Sequence, residues 1–402
     1  MTEPITDVPD LARTRRALNA NAAKLSTSFH ERQALIEGLN VAVICRQHTL
    51  LVGPPGTAKS YLARAYFSQF TAAGAVAWEG LLTRQTLEDQ IISHLDVEEF
   101  QHGRLVYVWE GHAPAAHFAF IDECFKATGG LLNSFLSWLN ERIVLGRGAP
   151  YESPLQSAIG ASNEWGEDES VAALEDRFCF RYAVEYIQAR AAALNYLSAA
   201  AAGHKPPTLE PVSLQELAAA QAAAAVLPID PAVLGVLLDL RDRLRTVGVE
   251  ISDRRLGVAL QALRAHAWLQ GDADVGLDHL DALRPVLWQR PDQIPAVDAA
   301  IGSVDKGIIG EIRAICDAAL SRYTAARTKC VDGHWTDEGA RRAYHADALS
   351  IATGLQAAAS EVKAKFGTGG SLPERVKVRA REYLAELKTA FAQAKADANL
   401  GL

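Results

Sequence analysis

Gly53, Pro54, Pro55, Gly56, Thr57, Ala58, Lys59 and Ser60 follow an apolar run, His48 to Val52, and precede a helical pattern that opens at Tyr61. Strand, glycine-rich loop and helix in that order are what a phosphate-binding loop requires. The loop N–H groups and the helix N-terminus surround phosphate oxygens, and the Lys59 ammonium adds positive charge. Ser60 is placed to ligate Mg²⁺, and Tyr61 is the first residue beyond the loop on the same nucleotide-binding stretch. Ala58 stands where glycine is usual. Its N–H is still offered, so the cradle survives provided this residue does not need a positive φ. The loop predicts a bound nucleoside triphosphate.

Four further positions give the loop a reaction. Phe118-Ala119-Phe120-Ile121 is a continuous apolar run that ends in two acids. Asp122 there suits the Mg²⁺ shell, and Glu123 suits a general base that polarises the attacking water. Asn163 ends another apolar run, 157–162, where its amide could orient that water; a turn asparagine is the alternative. Arg177, in Leu174-Glu175-Asp176-Arg177-Phe178, is a candidate arginine finger reaching across a subunit boundary, with Arg181 as a second candidate. A surface ion pair with Glu175 or Asp176 is the alternative. Ser252 caps a helix that carries Arg254 and Arg255, either of which could meet the γ-phosphate from the base of a lid.

These residues need elements to position them. The spacing predicts an amphipathic helix over 31–44, a strand at 49–52, a helix at 60–70 and a second strand at Val76-Ala77-Trp78. Leu105 to Trp109 reads as one arm of a hairpin. Buried parallel strands follow at 118–121 and 157–163, with a helix over about 128–142 between them. Alternating strands and helices predict an α/β fold, a parallel sheet with helices on both faces. From about 185–190 the composition turns alanine-rich and the strand signals stop. Expected boundaries are a polar lead-in with one short helix (1–27), a nucleotide-binding α/β part (28–190) and an all-α lid (191–300). The remainder (301–402) reads as a helical hairpin or triple-helix module, broken at 366–373.

Composition bounds the rest. The 402 residues are 49% hydrophobic and 22% charged, with a formal net charge of −8 and no long basic run. Bulk attraction to nucleic acid or an anionic membrane is not predicted. Five scattered cysteines without a C-x-x-C pair predict buried free thiols in a reducing, cytoplasmic setting. The acidic N-terminus lacks the apolar core of a signal peptide, and no run reaches the length of a membrane span. The histidines form no H-E-x-x-H, and no Cys/His spacing suits zinc.

The order GPPGTAKS, FIDE, GASNE, LEDRF and SDRR resembles the AAA+ ATPases, specifically the MoxR family and within it the RavA branch. Leu82-Thr83-Arg84-Gln85-Thr86-Leu87-Glu88-Asp89, Asp122 to Ala127, Leu139-Asn140-Glu141-Arg142 and Ser162-Asn163-Glu164 carry the likeness, which spans about 28–300. The resemblance implies ATP as the nucleotide, with Lys59, Ser60, Asp122, Glu123, Asn163, Arg177 and Arg254 binding or hydrolysing it. It further implies a homo-oligomeric ring, usually a hexamer, in which one subunit's finger completes its neighbour's site. It also implies a von Willebrand A-domain partner, and remodelling or maturation of a protein client. The stretch 100–117 matches the family's hairpin insertion, expected to face substrate or partner. RavA-type chains continue into a long β-rich domain, whereas the last hundred residues here read as helices. Two other classes stand beside the motor: an ATP-gated scaffold with slow turnover, and a nucleic-acid motor, which the acidic balance disfavours.

Overall fold

The computed structural model describes residues 9–127, 129–145, 149–165, 169–203, 205–304, 307–326, 330–331, 334–335, 337–367 and 374–399. The N-terminal stretch through residue 8 and the glycine-rich break at 368–373 lie outside them. The chain divides into two units, one ending at Gly302 and the other beginning at Ser303.

The first unit is built on five parallel strands: β1 (Thr49–Val52), β2 (Ala77–Leu81), β3 (Phe118–Asp122), β4 (Ser157–Ser162) and β5 (Phe180–Ala183). Their order across the sheet is β2-β3-β4-β1-β5. Central β1 and β4 are buried at every residue, as continuous apolar runs between two helical layers should be. Edge strand β2 alternates exposed and half-buried residues and begins one residue later than Val76. β5 carries a buried arginine within Phe-Arg-Tyr-Ala, which hides it from a hydrophobic pattern. The expected hairpin arm shortens to Tyr107–Val108, paired antiparallel with His94–Leu95, and a short helix, Val97–Gln101, lies between.

Helix α1 (Leu11–Ser28) is 18 residues long, not the short helix expected. Asp10 caps it by accepting from Ala12 N and Arg13 N at 2.9 and 3.0 Å. Ala17, Leu18, Ala22 and Leu25 form its buried stripe against α2 (Gln33–Ile44). Helix α3 (Lys59–Thr71) leaves the phosphate loop, and α4 (Gly129–Glu141) packs Phe135, Trp138 and Leu139 into the core beside Leu50, Ile121 and Phe178.

The lid helices follow as α5 (Leu214–Ala225), α6 (Pro231–Thr246) and α7 (Asp253–Gln270). Each starts on a side-chain cap, from Ser213, Asp230 and Ser252 in turn. α7 ends at Gly271, whose φ of 84° is the left-handed cap that glycine allows. α5 and α7 dock on α2, with Gln221 donating to Val43 O at 3.0 Å and Gln47 to Gln261 Oε1 at 3.0 Å.

The second unit is three helices, Gly307–Ala326, Glu338–Gly367 and Glu374–Asn399, around one apolar seam that includes Ile312, Tyr344, Ile351, Leu355 and Leu387. A two-stranded piece, Cys330–Val331 with His334–Trp335, was not expected from the sequence.

Candidate nucleotide site and an arginine-lined cavity

The phosphate loop leaves β1 at the C-terminal edge of the sheet. Gly53 is required by packing: a Cβ there would sit 1.9 Å from the carbonyl oxygen of Val184. Gly56 is required by conformation, with φ at 79° and open space where a side chain would be. Ala58 caps α3 with φ 63° and ψ 26°. It therefore does occupy the left-handed region, contrary to the condition set by the sequence. An L-residue there carries about 1–2 kcal/mol of strain. Ala58→Gly should raise unfolding free energy by about 1 kcal/mol. Urea unfolding measures this, and a less stable variant would contradict the strain.

Lys59 is nearly buried, at 8% exposure. Its ammonium donates to Gly53 O at 2.6 Å, Pro54 O at 3.0 Å and Asn163 Oδ1 at 3.1 Å. Among the described residues its hydrogen-bond partners are all neutral oxygens. Burial holds its pKa below the ordinary lysine value, and Asp122 and Glu123 oppose that shift. A buried cation with only neutral acceptors at a helix N-terminus fits a polyphosphate anion.

Asn163, just past β4, also donates to Glu123 Oε1 at 2.6 Å. Lys59, Asn163 and Glu123 thus form one connected chain. Glu123 has φ 52°, so the backbone turns sharply where β3 ends and presents the carboxylate to Asn163. Its second oxygen is buried without a hydrogen bond, although the Lys126 ammonium stands 3.3 Å away. Asp122 accepts from the Glu123 N–H at 3.0 Å. The Ser60 hydroxyl, in the first turn of α3, and the Asp122 carboxylate, at the end of β3, are hard oxygen donors, the ligand type that suits Mg²⁺. Tyr61 is 42% exposed at the first turn of α3, its ring 5.4 Å from Phe29. Tyr186, which the sequence reading did not single out, donates its hydroxyl to Pro55 O at 3.1 Å and braces the loop.

The remaining arginines are elsewhere. Arg177 precedes β5, whose Phe180 pairs with Thr49 at the start of β1. The length of β1, on the order of 13 Å, therefore separates it from the loop of its own chain. Arg177 donates to Ala173 O at 3.2 Å, and its Nε is buried without a partner. Burial and the neighbouring Arg254 both lower its pKa. Arg254, at the start of α7, lines the same cavity and pairs with Asp176 at 3.5 Å. That cavity also takes in Gln47 and His48, the residues before β1, whereas the phosphate loop follows β1.

Arg255 and Arg181 are structural. Arg255 is fully buried and donates to Val286 O at 2.7 Å. Arg181, 3% exposed, donates to Phe178 O, Glu175 O and Trp288 O, and burial pushes its pKa down to about 9. A guanidinium tied to three carbonyls is not free to act as a finger.

Known proteins match this arrangement. The family model described as the MoxR domain in MoxR-vWA-beta-propeller ternary systems matches residues 16–256, and an AAA lid domain model matches 232–301. The uncharacterized protein MJ0079 of Methanocaldococcus jannaschii is 34% identical over 279 residues, covering 69% of this chain and 72% of its own. The uncharacterized protein MJ0812 of the same organism is 32% identical over 302 residues, covering 74% and 79%. A crystal structure from Cytophaga hutchinsonii, described as a candidate ATPase, superposes with a TM-score of 0.59 at 12% identity, covering 73% of this chain and 96% of its own. That likeness speaks to the fold alone. With a parallel five-stranded sheet, a helical lid and a family model over more than half its length, the chain belongs to the MoxR family of AAA+ ATPases.

Proposed function

We propose that the chain hydrolyses ATP with Mg²⁺ in a head-to-tail homo-oligomeric ring, a hexamer by family likeness, and uses turnover to remodel or mature a protein client. One observation carries the reading: the Lys59–Asn163–Glu123 chain and Arg177 stand at opposite ends of β1. A finger separated from its own loop by the length of that strand supports a role toward another copy's triphosphate.

Lys59 and the loop N–H groups bind the phosphates, Asn163 fixes the Glu123 carboxylate, and Glu123 draws a proton from the attacking water. Mg²⁺, held by Ser60 and Asp122, would neutralise charge on the phosphate oxygens. Arg177 and Arg254 stabilise charge on the neighbour's terminal phosphate. The matching model's description, with its vWA and β-propeller components, supports a von Willebrand A-domain partner. The further likeness to the RavA branch rests on the motif fragments alone. No described helix is long and apolar enough to cross a membrane. We read the setting as cytoplasmic, and the acidic charge balance speaks against a nucleic-acid client.

Glu123→Gln separates a motor from an ATP-gated scaffold. Turnover should fall by about 10²–10⁴, with ATP still bound and the ring assembled. Steady-state phosphate release beside nucleotide titration reads both. Client remodelling at an unchanged rate in the variant would reject the motor and favour the scaffold.

A further inference from the structure

The cavity that holds Arg177 and Arg254 has a volume of about 240 Å³ and contains two more arginines, Arg46 and Arg142. Among the described residues lining it there is no carboxylate. Asp176 engages Arg254 and the buried Arg255 from beside the cavity, and Glu141 acts on Arg177 only at longer range. Four guanidinium groups share a cavity that no acid lines, and Asp176 offsets only part of their mutual repulsion, which favours an added anion.

The two extra arginines are held by an unusual backbone. Arg46 has φ 53° and Arg142 has φ 58°, left-handed values that cost a non-glycine residue about 1–3 kcal/mol each. Arg142 fixes this arrangement itself, donating from Nε to Leu155 O at 2.9 Å and from Nη2 to Arg46 O at 2.5 Å. Among the described residues, the Arg46 side chain makes only a long hydrogen bond to Leu155 O, at 3.5 Å. Beneath them His48 donates from Nε2 to Leu139 O and accepts the Ala158 N–H at Nδ1, so its ring is used as a neutral strut. Burial, Arg142 and Arg46 push its pKa down to about 3, in keeping with a strongly positive cavity.

We propose that Arg142, together with Arg46, completes a four-arginine receptor for the terminal phosphate of a triphosphate carried by a second copy of this chain. The proposal rests on the head-to-tail reading above and adds two residues to it. Arg142 supplies a fork whose orientation is set before the phosphate arrives, and Arg46 supplies charge beside it.

A complementation experiment tests it. The full chain carrying Lys59→Ala, with a disabled loop, is mixed with the full chain carrying Arg177→Ala, with a disabled receptor. Turnover should reappear at interfaces that join the intact loop of one copy to the intact receptor of the other. Arg142→Gln or Arg46→Asn added to the Lys59→Ala copy should cut that restored turnover at least tenfold. Added to the Arg177→Ala copy, whose receptor is already broken, they should cause no further loss. Equal losses in both placements would make the two arginines clamps of the fold and overturn the receptor, as would no loss in either. Arg46→Asn guards against misfolding, because among the described residues Arg46 makes only that one long side-chain hydrogen bond. Failure of the parent mixture to regain any turnover would overturn the head-to-tail reading as well.

Discussion

Arg177→Ala is expected to lower ATP turnover by about 10³–10⁵ while leaving nucleotide affinity nearly intact. In barrier terms that is roughly 4–7 kcal/mol. The expectation follows from position. Arg177 lies before β5, at the edge of the sheet opposite the phosphate loop, and so contributes nothing to binding within its own chain. Among the described residues its side chain gives up one hydrogen bond, to Ala173 O, and its Nε has none to lose. The fold should tolerate the change. Steady-state hydrolysis and a nucleotide titration at one protein concentration decide the matter. A collapse of affinity with assembly preserved would remove Arg177 from the finger role.

Lys59→Ala should act on the opposite quantity. The ammonium is nearly buried and satisfied only by neutral oxygens, so a polyphosphate replaces modest contacts with charge-assisted ones. Hydrogen bonds to charged groups are worth about 1.5–3 kcal/mol, or about 10- to 150-fold in affinity. The variant also leaves Asn163 Oδ1 without the Lys59 donor, which loosens the group that holds Glu123. Calorimetric titration with ATP should show the loss directly. Undiminished affinity would mean that the loop binds something other than phosphate.

Much of this site was legible because its parts are local. The loop, the acids at the end of β3 and Asn163 after β4 each sit where a buried apolar strand stops, and such strands announce themselves as continuous hydrophobic runs. The parallel sheet brings those ends together without further information. Edge strand β5 was not legible, because Arg181 interrupts its pattern, and of the carbonyls that satisfy it those of Phe178 and Glu175 are local while that of Trp288 lies 107 positions away. The length of α1 was hidden for a related reason. Its stripe of Ala17, Ala22 and Leu25 is small and mixed with charge, and is buried because other helices, chiefly α2 and α5, supply the other surface.

Arg46 and Arg142 were the hardest to read. Nothing in a one-dimensional pattern says that two arginines 96 positions apart share a hydrogen bond or that both adopt left-handed backbone. The pairing of Arg254 with Asp176 belongs to the same class, since it depends on where α7 docks. Ala58 shows the limit from the other side. The residue type was plain, yet whether it would be strained depended on the turn it had to make.

On the proposed head-to-tail reading, the opposed placement of phosphate loop and arginine cavity would give each subunit a direction, with one end that offers a triphosphate and another that receives one. Two copies so joined would complete a single site, and a two-fold pair completes both only if loop and cavity share a face. A row of n copies therefore has n − 1 finished sites and two idle ends, however long it grows. Only a turn per copy that brings the row back on itself lets every loop find a cavity. Closure is then more than a shape. It is what brings the number of working sites up to the number of chains.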